Sequence, residues 1–397
     1  MPIPAYTYWR LTRWLGPWTK DNQSPAAVSR RRVRIVAQGN EDHLAAQGNE
    51  DHLTAQDSED PIEALVYTPT DRPPIGSYLV AHGLNLRGPD DERCDRFARV
   101  LSHAGFLVMC PRLNALTQMR LDASAVAEFS RSLEALIALP EHPRRKLPGI
   151  FSISFGSFPA LMTAASPKVG HLVGSLVVFG GYADFVDTCR FMMGAAPSGS
   201  RDLEPDPTCM AGLAINTAAV LFEDEAKREL TEAWRAFVAR VWGAPDMRRP
   251  ERFSEVALQL AAELPAELMQ TFLQGCGVAP GFAARVEEAL ARTDVEAMDP
   301  RAHLHEIRCP VHLFHGLRDD VIPCSQMQVL ASALSKANPK TYLTGLYDHS
   351  RGYAGTTALA QLPALLKETK TMAQMVHAMV LSGTRPVART ALHAHPV

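Results

Sequence analysis

The chain of 397 residues contains no run of 18 consecutive apolar residues, so nothing in it reads as a membrane span. Charge of one sign is also missing: 40 Lys and Arg stand against 43 Asp and Glu, a formal −3. That balance gives no electrostatic case for a nucleic-acid partner. The seven cysteines (Cys94, Cys110, Cys189, Cys209, Cys276, Cys309 and Cys324) are odd in number and form no CxxC pair. They read as buried thiols of a cytosolic protein, with neither a disulfide framework nor a zinc site. With 46% apolar and 21% charged residues, the composition excludes disordered, collagen-like and disulfide-stapled chains. The length is ample for one elaborated domain or two.

Aromatics are scarce, at 7%, and unevenly spread: three of the five tryptophans are Trp9, Trp14 and Trp18, beside Tyr6 and Tyr8. Arg10, Arg13 and Lys20 interleave with them, and Arg30, Arg31, Arg32 and Arg34 follow. The stretch lacks the continuous apolar core of a secretory signal, so the expectation is a cytoplasmic protein. Aromatic, basic residues 1–20 can dock on a membrane interface; the reading preferred is that their rings pack over the domain behind them. Residues 37–63 repeat a nonapeptide, AQGNEDHLA, AQGNEDHLT, AQDSEDPIE. Its period is too short for a solenoid, so it reads as a duplicated connector, and His43 and His52 are not taken as metal ligands.

Past the repeat, short β-branched runs alternate with helical periods, the pattern of an α/β fold with a mostly parallel sheet. Strands are expected around Ala64–Tyr67, Tyr78–Ala81, Leu107–Cys110, Gly149–Ile153, Leu176–Phe179 and Pro310–Phe314. Between about 185 and 298 the strand signal fades. Ala226, Leu230, Ala233, Phe237 and Val241 form a helical stripe that stops at Gly243, Phe253 to Leu264 another, broken by Pro265, and Phe282 to Ala291 a third. The organisation expected is therefore 1–61 (aromatic and basic segment, first strand, repeat connector), 62–184 (first half of the core), 185–298 (helical cap or lid) and 299–397 (second half of the core and a C-terminal helix).

The segment Gly149-Ile-Phe-Ser-Ile-Ser154-Phe-Gly156 runs from a strand into a helix. A nucleophile on a tight strand-to-helix turn needs small residues two before and two after it. Ser154, between Ser152 and Gly156, meets that demand, whereas Ser152 has Ile150 and Ser157 has Phe155 and Pro159 at those positions. The segment resembles the nucleophile elbow G-x-S-x-G of the α/β-hydrolase superfamily, with Ser152 in place of the first glycine. Three further segments resemble the superfamily in its chain order: Tyr78-Leu-Val-Ala-His82-Gly83-Leu84-Asn85, His315-Gly316-Leu-Arg-Asp319-Asp320-Val-Ile-Pro323, and Thr341-Tyr-Leu-Thr-Gly-Leu-Tyr-Asp348-His349.

The resemblance covers about 62–185 and 299–375 and implies an α/β-hydrolase fold, a mostly parallel central sheet flanked by helices, with a helical cap insertion. It implies a triad of Ser154 as nucleophile, His349 as base and Asp319 as orienting acid, with the backbone N–H groups of Leu84 and Phe155 as oxyanion hole. Asp320 and Asp184 are the alternative acids; the spacing after His315-Gly316 selects Asp319, leaving Asp320 to cap the next helix or to lie in solvent. A serine nucleophile implies ester hydrolysis through an acyl-enzyme with no cofactor and no metal. The leucines and phenylalanines of the block 185–298, with Met192, Met193, Met210 and Met269, suggest an apolar acyl pocket, and the partner expected is a small-molecule ester with an apolar acyl group, its chain length and leaving group left open. Thioesterase, peptidase or acyltransferase activity would use the same triad, and a non-catalytic ligand- or lipid-surface-binding protein is the reading from another class. Oligomeric state is left open.

Overall fold

The computed structural model describes residues 3–16, 23–37, 51–55, 61–195, 203–345 and 362–387. Among the described residues nine strands form one sheet: β1 Val28–Ala37, β2 Asp51–Ala55, β3 Ile62–Pro69, β4 Gly76–Ala81, β5 Phe106–Pro111, β6 Gly149–Ile153, β7 Ser175–Phe179, β8 Val311–Gly316 and β9 Lys340–Thr344. Their order is β2-β1-β3-β5-β4-β6-β7-β8-β9. β3 runs antiparallel to both β1 and β5, and every pair from β5 to β9 is parallel. Leaving β2 aside, this is the eight-stranded α/β-hydrolase fold, in which the crossing of β4 and β5 carries the chain from one half of the sheet to the other. Strands β4, β5 and β8 are buried at every position, because helices cover both faces of a parallel sheet and leave no polar side.

Helices Ser124–Ala138, Ser157–Ala165 and Ser325–Ala333 pack on one face through Phe129, Leu133, Leu161 and Leu330. Helices Glu92–His103 and Leu362–Gly383 pack on the other through Ala98, Leu101, Met375 and Met379. The first of that second pair starts at Asp91, whose carboxylate accepts the Arg93 N–H at 3.0 Å, and ends before Gly105 at φ 113°.

The N-terminal aromatics form a helix, Ala5–Leu15, that lies against the C-terminal one. Leu11 is fully buried there, Tyr8 stacks on His377 with its hydroxyl 3.1 Å from Nδ1, and Trp14 meets His103 edge-on. Trp9 is 57% exposed, with the Arg13 guanidinium over its ring. The second nonapeptide contributes more than a connector: Asp51–Ala55 adds β2 as a parallel edge strand beside Val33–Ala37. An unpaired edge offers a row of backbone donors and acceptors, and a duplicated segment of alternating character can satisfy it.

Between β7 and β8 the chain forms helices Phe185–Met192, Cys209–Leu221, Asp224–Val241, Pro250–Ala261, Ala266–Gly275 and Phe282–Arg292. The Cys209–Leu221 helix escapes a periodicity argument because it is apolar all round and buried along most of its length. The block packs around Trp234, which is fully buried, donates its indole N–H to the Phe272 carbonyl and meets Phe282 edge-on.

Candidate active site

β6 delivers Ser154 at the carboxyl end of the sheet, where the strand turns at once into the Ser157–Ala165 helix. Ser154 has φ 54°, in the left-handed region that side chains rarely adopt. Gly156 permits the turn: a Cβ there would lie 2.3 Å from the His82 carbonyl oxygen and 2.8 Å from that of Ala81. At Gly83 a Cβ would stand 3.0 Å from the Cβ of Ser154, so the loop after β4 passes directly beside the serine. Ser152 is small enough to lie buried against β7, with its hydroxyl donating to the Val177 carbonyl.

The loop His82–Asn85 is held at each residue. The His82 ring lies 2.7 Å through Nδ1 from the Gly83 carbonyl and accepts the Leu113 N–H on Nε2. Accepting at Nε2 places the imidazole proton on Nδ1. Burial drives the His82 pKa down to about 4, which keeps the ring neutral. Trp242, from the helical block, donates its indole N–H to the Leu84 carbonyl at 3.1 Å. Asn85 bonds the carboxylate of Asp91 at 2.7 Å. Among the described residues the Leu84 N–H has no acceptor of its own.

At the end of β8, Asp319 is 1% exposed, and its Oδ1 accepts the N–H groups of Val321 and Ile322 at 3.0 and 2.8 Å. His315 is equally buried: its Nε2 lies 2.9 Å from the Ile322 carbonyl and 3.4 Å from Asp319 Oδ2. Both His-Gly dipeptides therefore use their imidazole to brace the turn that follows the strand.

Asp320 neither caps a helix nor lies in solvent. It pairs with Arg248 of the helical block, whose guanidinium also reaches Asp206 at 2.6 Å. Three charges at 6–13% exposure form a clamp between block and core, which the sequence concealed because its members are far apart in the chain. Asp184 is likewise engaged: it accepts the Asp187 N–H at the start of the Phe185–Met192 helix and pairs with Arg301. His349 lies outside the described residues. The chain leading to it is anchored by Glu368 of the C-terminal helix, whose carboxylate accepts the Thr344 hydroxyl and the Gly345 N–H at 2.8 and 3.0 Å.

Ser154, Gly83, Leu84 and Val321 open onto a cavity of about 320 Å³. From the helical block only Asp206, Trp242 and Gly243 reach it among the described residues. Met192, Met193, Met210 and Met269 are not among its lining residues; the methionines that are, Met372, Met375 and Met379, belong to the C-terminal helix. The expectation that the block's methionines line an apolar pocket beside the serine is corrected accordingly. The block turns its apolar side chains inward on Trp234 and the core.

Among the described residues no group of three or more His, Cys, Asp or Glu could hold a metal ion. The seven cysteines are free; six are buried and Cys324 is half-buried. No described helix is long and apolar enough to cross a membrane.

No family model and no curated protein matches the chain. Among solved structures it is similar to an acylaminoacyl peptidase of Pyrococcus horikoshii, at 9% identity and TM-score 0.45 over 84% of this chain and 41% of that one. A puromycin-hydrolysing peptidase of Mycobacterium tuberculosis aligns at 15% identity and TM-score 0.40, over 82% and 37%. A protein of Klebsiella pneumoniae described as a dienelactone hydrolase aligns at 12% identity and TM-score 0.40, over 90% and 98%. The chain spans about two fifths of the length of the two peptidases. At these identities and TM-scores the likenesses carry no argument about activity or substrate.

Proposed function

We propose that the chain is a serine hydrolase that cleaves a carboxylic ester through an acyl-enzyme. The observation that carries this reading is Ser154 itself. Its backbone is held at φ 54° between Gly83 and Gly156, and it lines a largely apolar cavity. Strain of that kind, of order 1–3 kcal/mol, persists only where surrounding structure imposes it.

In this reading Ser154 Oγ attacks the ester carbonyl and passes its proton to His349. The tetrahedral oxyanion is received by the N–H groups of Leu84 and Phe155, each worth about 10²–10³-fold in turnover. Collapse breaks the C–O bond to the leaving alcohol, which takes the proton from His349. Water then repeats the sequence on the acyl-enzyme and releases the acid. Asp319 holds the imidazole tautomer and stabilises the imidazolium. Its carboxylate is suited to this by two backbone N–H bonds to Oδ1 and by near-complete burial.

The test is covalent labelling by a fluorophosphonate together with hydrolysis of p-nitrophenyl esters. Wild-type protein is expected to label and turn over, and Ser154→Ala to do neither while melting like wild type. Undiminished turnover by Ser154→Ala would remove the assignment.

A further inference from the structure

The cavity beside Ser154 does not stay at the edge of the sheet. It continues beneath the C-terminal helix, on the face opposite Phe129 and Leu161, where Phe97, Ile153, Phe179, Met372, Met375 and Val376 line it. Side chains alternate along a strand, so Phe151 and Ile153 point to that far face while Ile150 points to the near one. Met372, Met375 and Val376 are 9%, 7% and 3% exposed, and Phe97, Ile153 and Phe179 beside them are half-buried, so this end is lined by apolar side chains of helix and sheet. Of the polar lining residues, Asn85, Asp91, Arg93 and Asp206 belong to the loop after β4, the start of the Glu92–His103 helix and the helical block, while Arg96, beside Phe97, donates to the Gln23 and Trp14 carbonyls at 2.9 Å.

We propose that this apolar channel between the sheet and the Leu362–Gly383 helix, and not the helical block, binds the acyl chain and sets its length, selecting a straight alkyl acyl group of medium length. The proposal rests on the serine-hydrolase reading. In a two-step reaction the leaving group must depart before water attacks, whereas the acyl group stays through both steps. An apolar channel suits the part that stays, and the polar side suits the part that leaves. Methionine, unbranched and flexible, adapts to chains of slightly different length. A cavity of about 320 Å³ is small for a ligand site and suits a single chain.

The experiment compares rates of labelling by ethyl- and octyl-phosphonofluoridates. In both, a bond forms between Ser154 Oγ and phosphorus, fluoride leaves, and the serine proton passes to the base. Wild-type protein is expected to react at least about tenfold faster with the octyl probe, since two buried methylenes already supply that factor. Met375→Trp should lower the octyl-to-ethyl ratio by about tenfold, and Met375→Ala should shift the preference to longer chains. Met269→Trp, in the helical block and outside the cavity lining, should leave the ratio unchanged.

A wild-type ratio of one or less overturns the channel. So does a Met269→Trp effect as large as that of Met375→Trp. Should Met375→Trp fail to fold, the wild-type ratio still decides. Absence of labelling by either probe overturns the serine-hydrolase reading itself, and with it the channel.

Discussion

Ser154 holds its hydroxyl by a backbone conformation, and the residues two before and two after it are small because that conformation leaves no room. Gly156 makes the argument testable. With the His82 carbonyl oxygen only 2.3 Å from where a Cβ would sit, Gly156→Ala forces backbone and not a flexible side chain to move. A loss of about 3 kcal/mol or more in urea unfolding is expected, at the upper end of overpacking costs. The adjacent carboxylates separate by partner. Asp319→Asn should lower turnover about 10⁴-fold with little change in stability, because the imidazole is no longer held in the right tautomer. Asp320→Asn should mainly lower stability, by about 3 kcal/mol or less since Arg248 keeps Asp206, and turnover should survive. Single-mutant kinetics beside melting curves resolves the pair; a dead Asp320→Asn with an active Asp319→Asn would reverse the assignment.

At the scale of elements, the loop after β4 matters more than any strand. It is braced from within by His82, from the next helix by Asp91 and from the inserted block by Trp242. Trp242 joins the insertion to the loop that carries the Leu84 amide, which a block acting only as extra packing would not need to do. Trp242→Phe keeps an aromatic ring and removes the donor, so it should cost about 0.5–1.5 kcal/mol, read as a several-fold fall in kcat with KM little changed. An unchanged kcat would mean the bond does not position the loop. The Arg248 clamp acts on the other side of the site, tying the same block to the turn that holds Asp319.

The whole molecule is nearly neutral, and three arginines of its basic run pair with its own acids: Arg30 and Arg32 with Asp90, and Arg31 with Glu141. What remains of electrostatic consequence is buried. Burial lowers the pKa values of His82, His142 and His312 to about 4, so each is neutral in the folded protein and protonated at higher pH once unfolded. The unfolded chain therefore binds more protons between about pH 6.5 and 4, and stability present above that window is lost as pH falls through it. His142 isolates the effect, since its buried Nε2 has no hydrogen-bond partner among the described residues. His142→Leu should narrow the drop in melting temperature between pH 7.5 and 5 relative to wild type. An identical drop in both proteins would exclude His142 as a source.

Much of this architecture was legible in the order of residues. The strand-to-helix transition at Ser154, the small residues Ser152 and Gly156 and both His-Gly turns depend on sterics within a few residues of chain, and so they can be read locally. The central strands were equally plain, because a doubly covered parallel sheet writes itself as continuous apolar runs such as Tyr78-Leu-Val-Ala. Contacts between distant segments were not readable: the Arg248–Asp206–Asp320 clamp, Trp242 on the Leu84 carbonyl, and Glu368 anchoring the chain after β9. Apolar residues misled in the same way. Met210 and Met375 look alike as sequence, and only the packing of helices against the sheet sends the second into the cavity beside Ser154 and the first elsewhere. A side chain's type is local information, whereas the surface it faces is decided by burial of the whole chain.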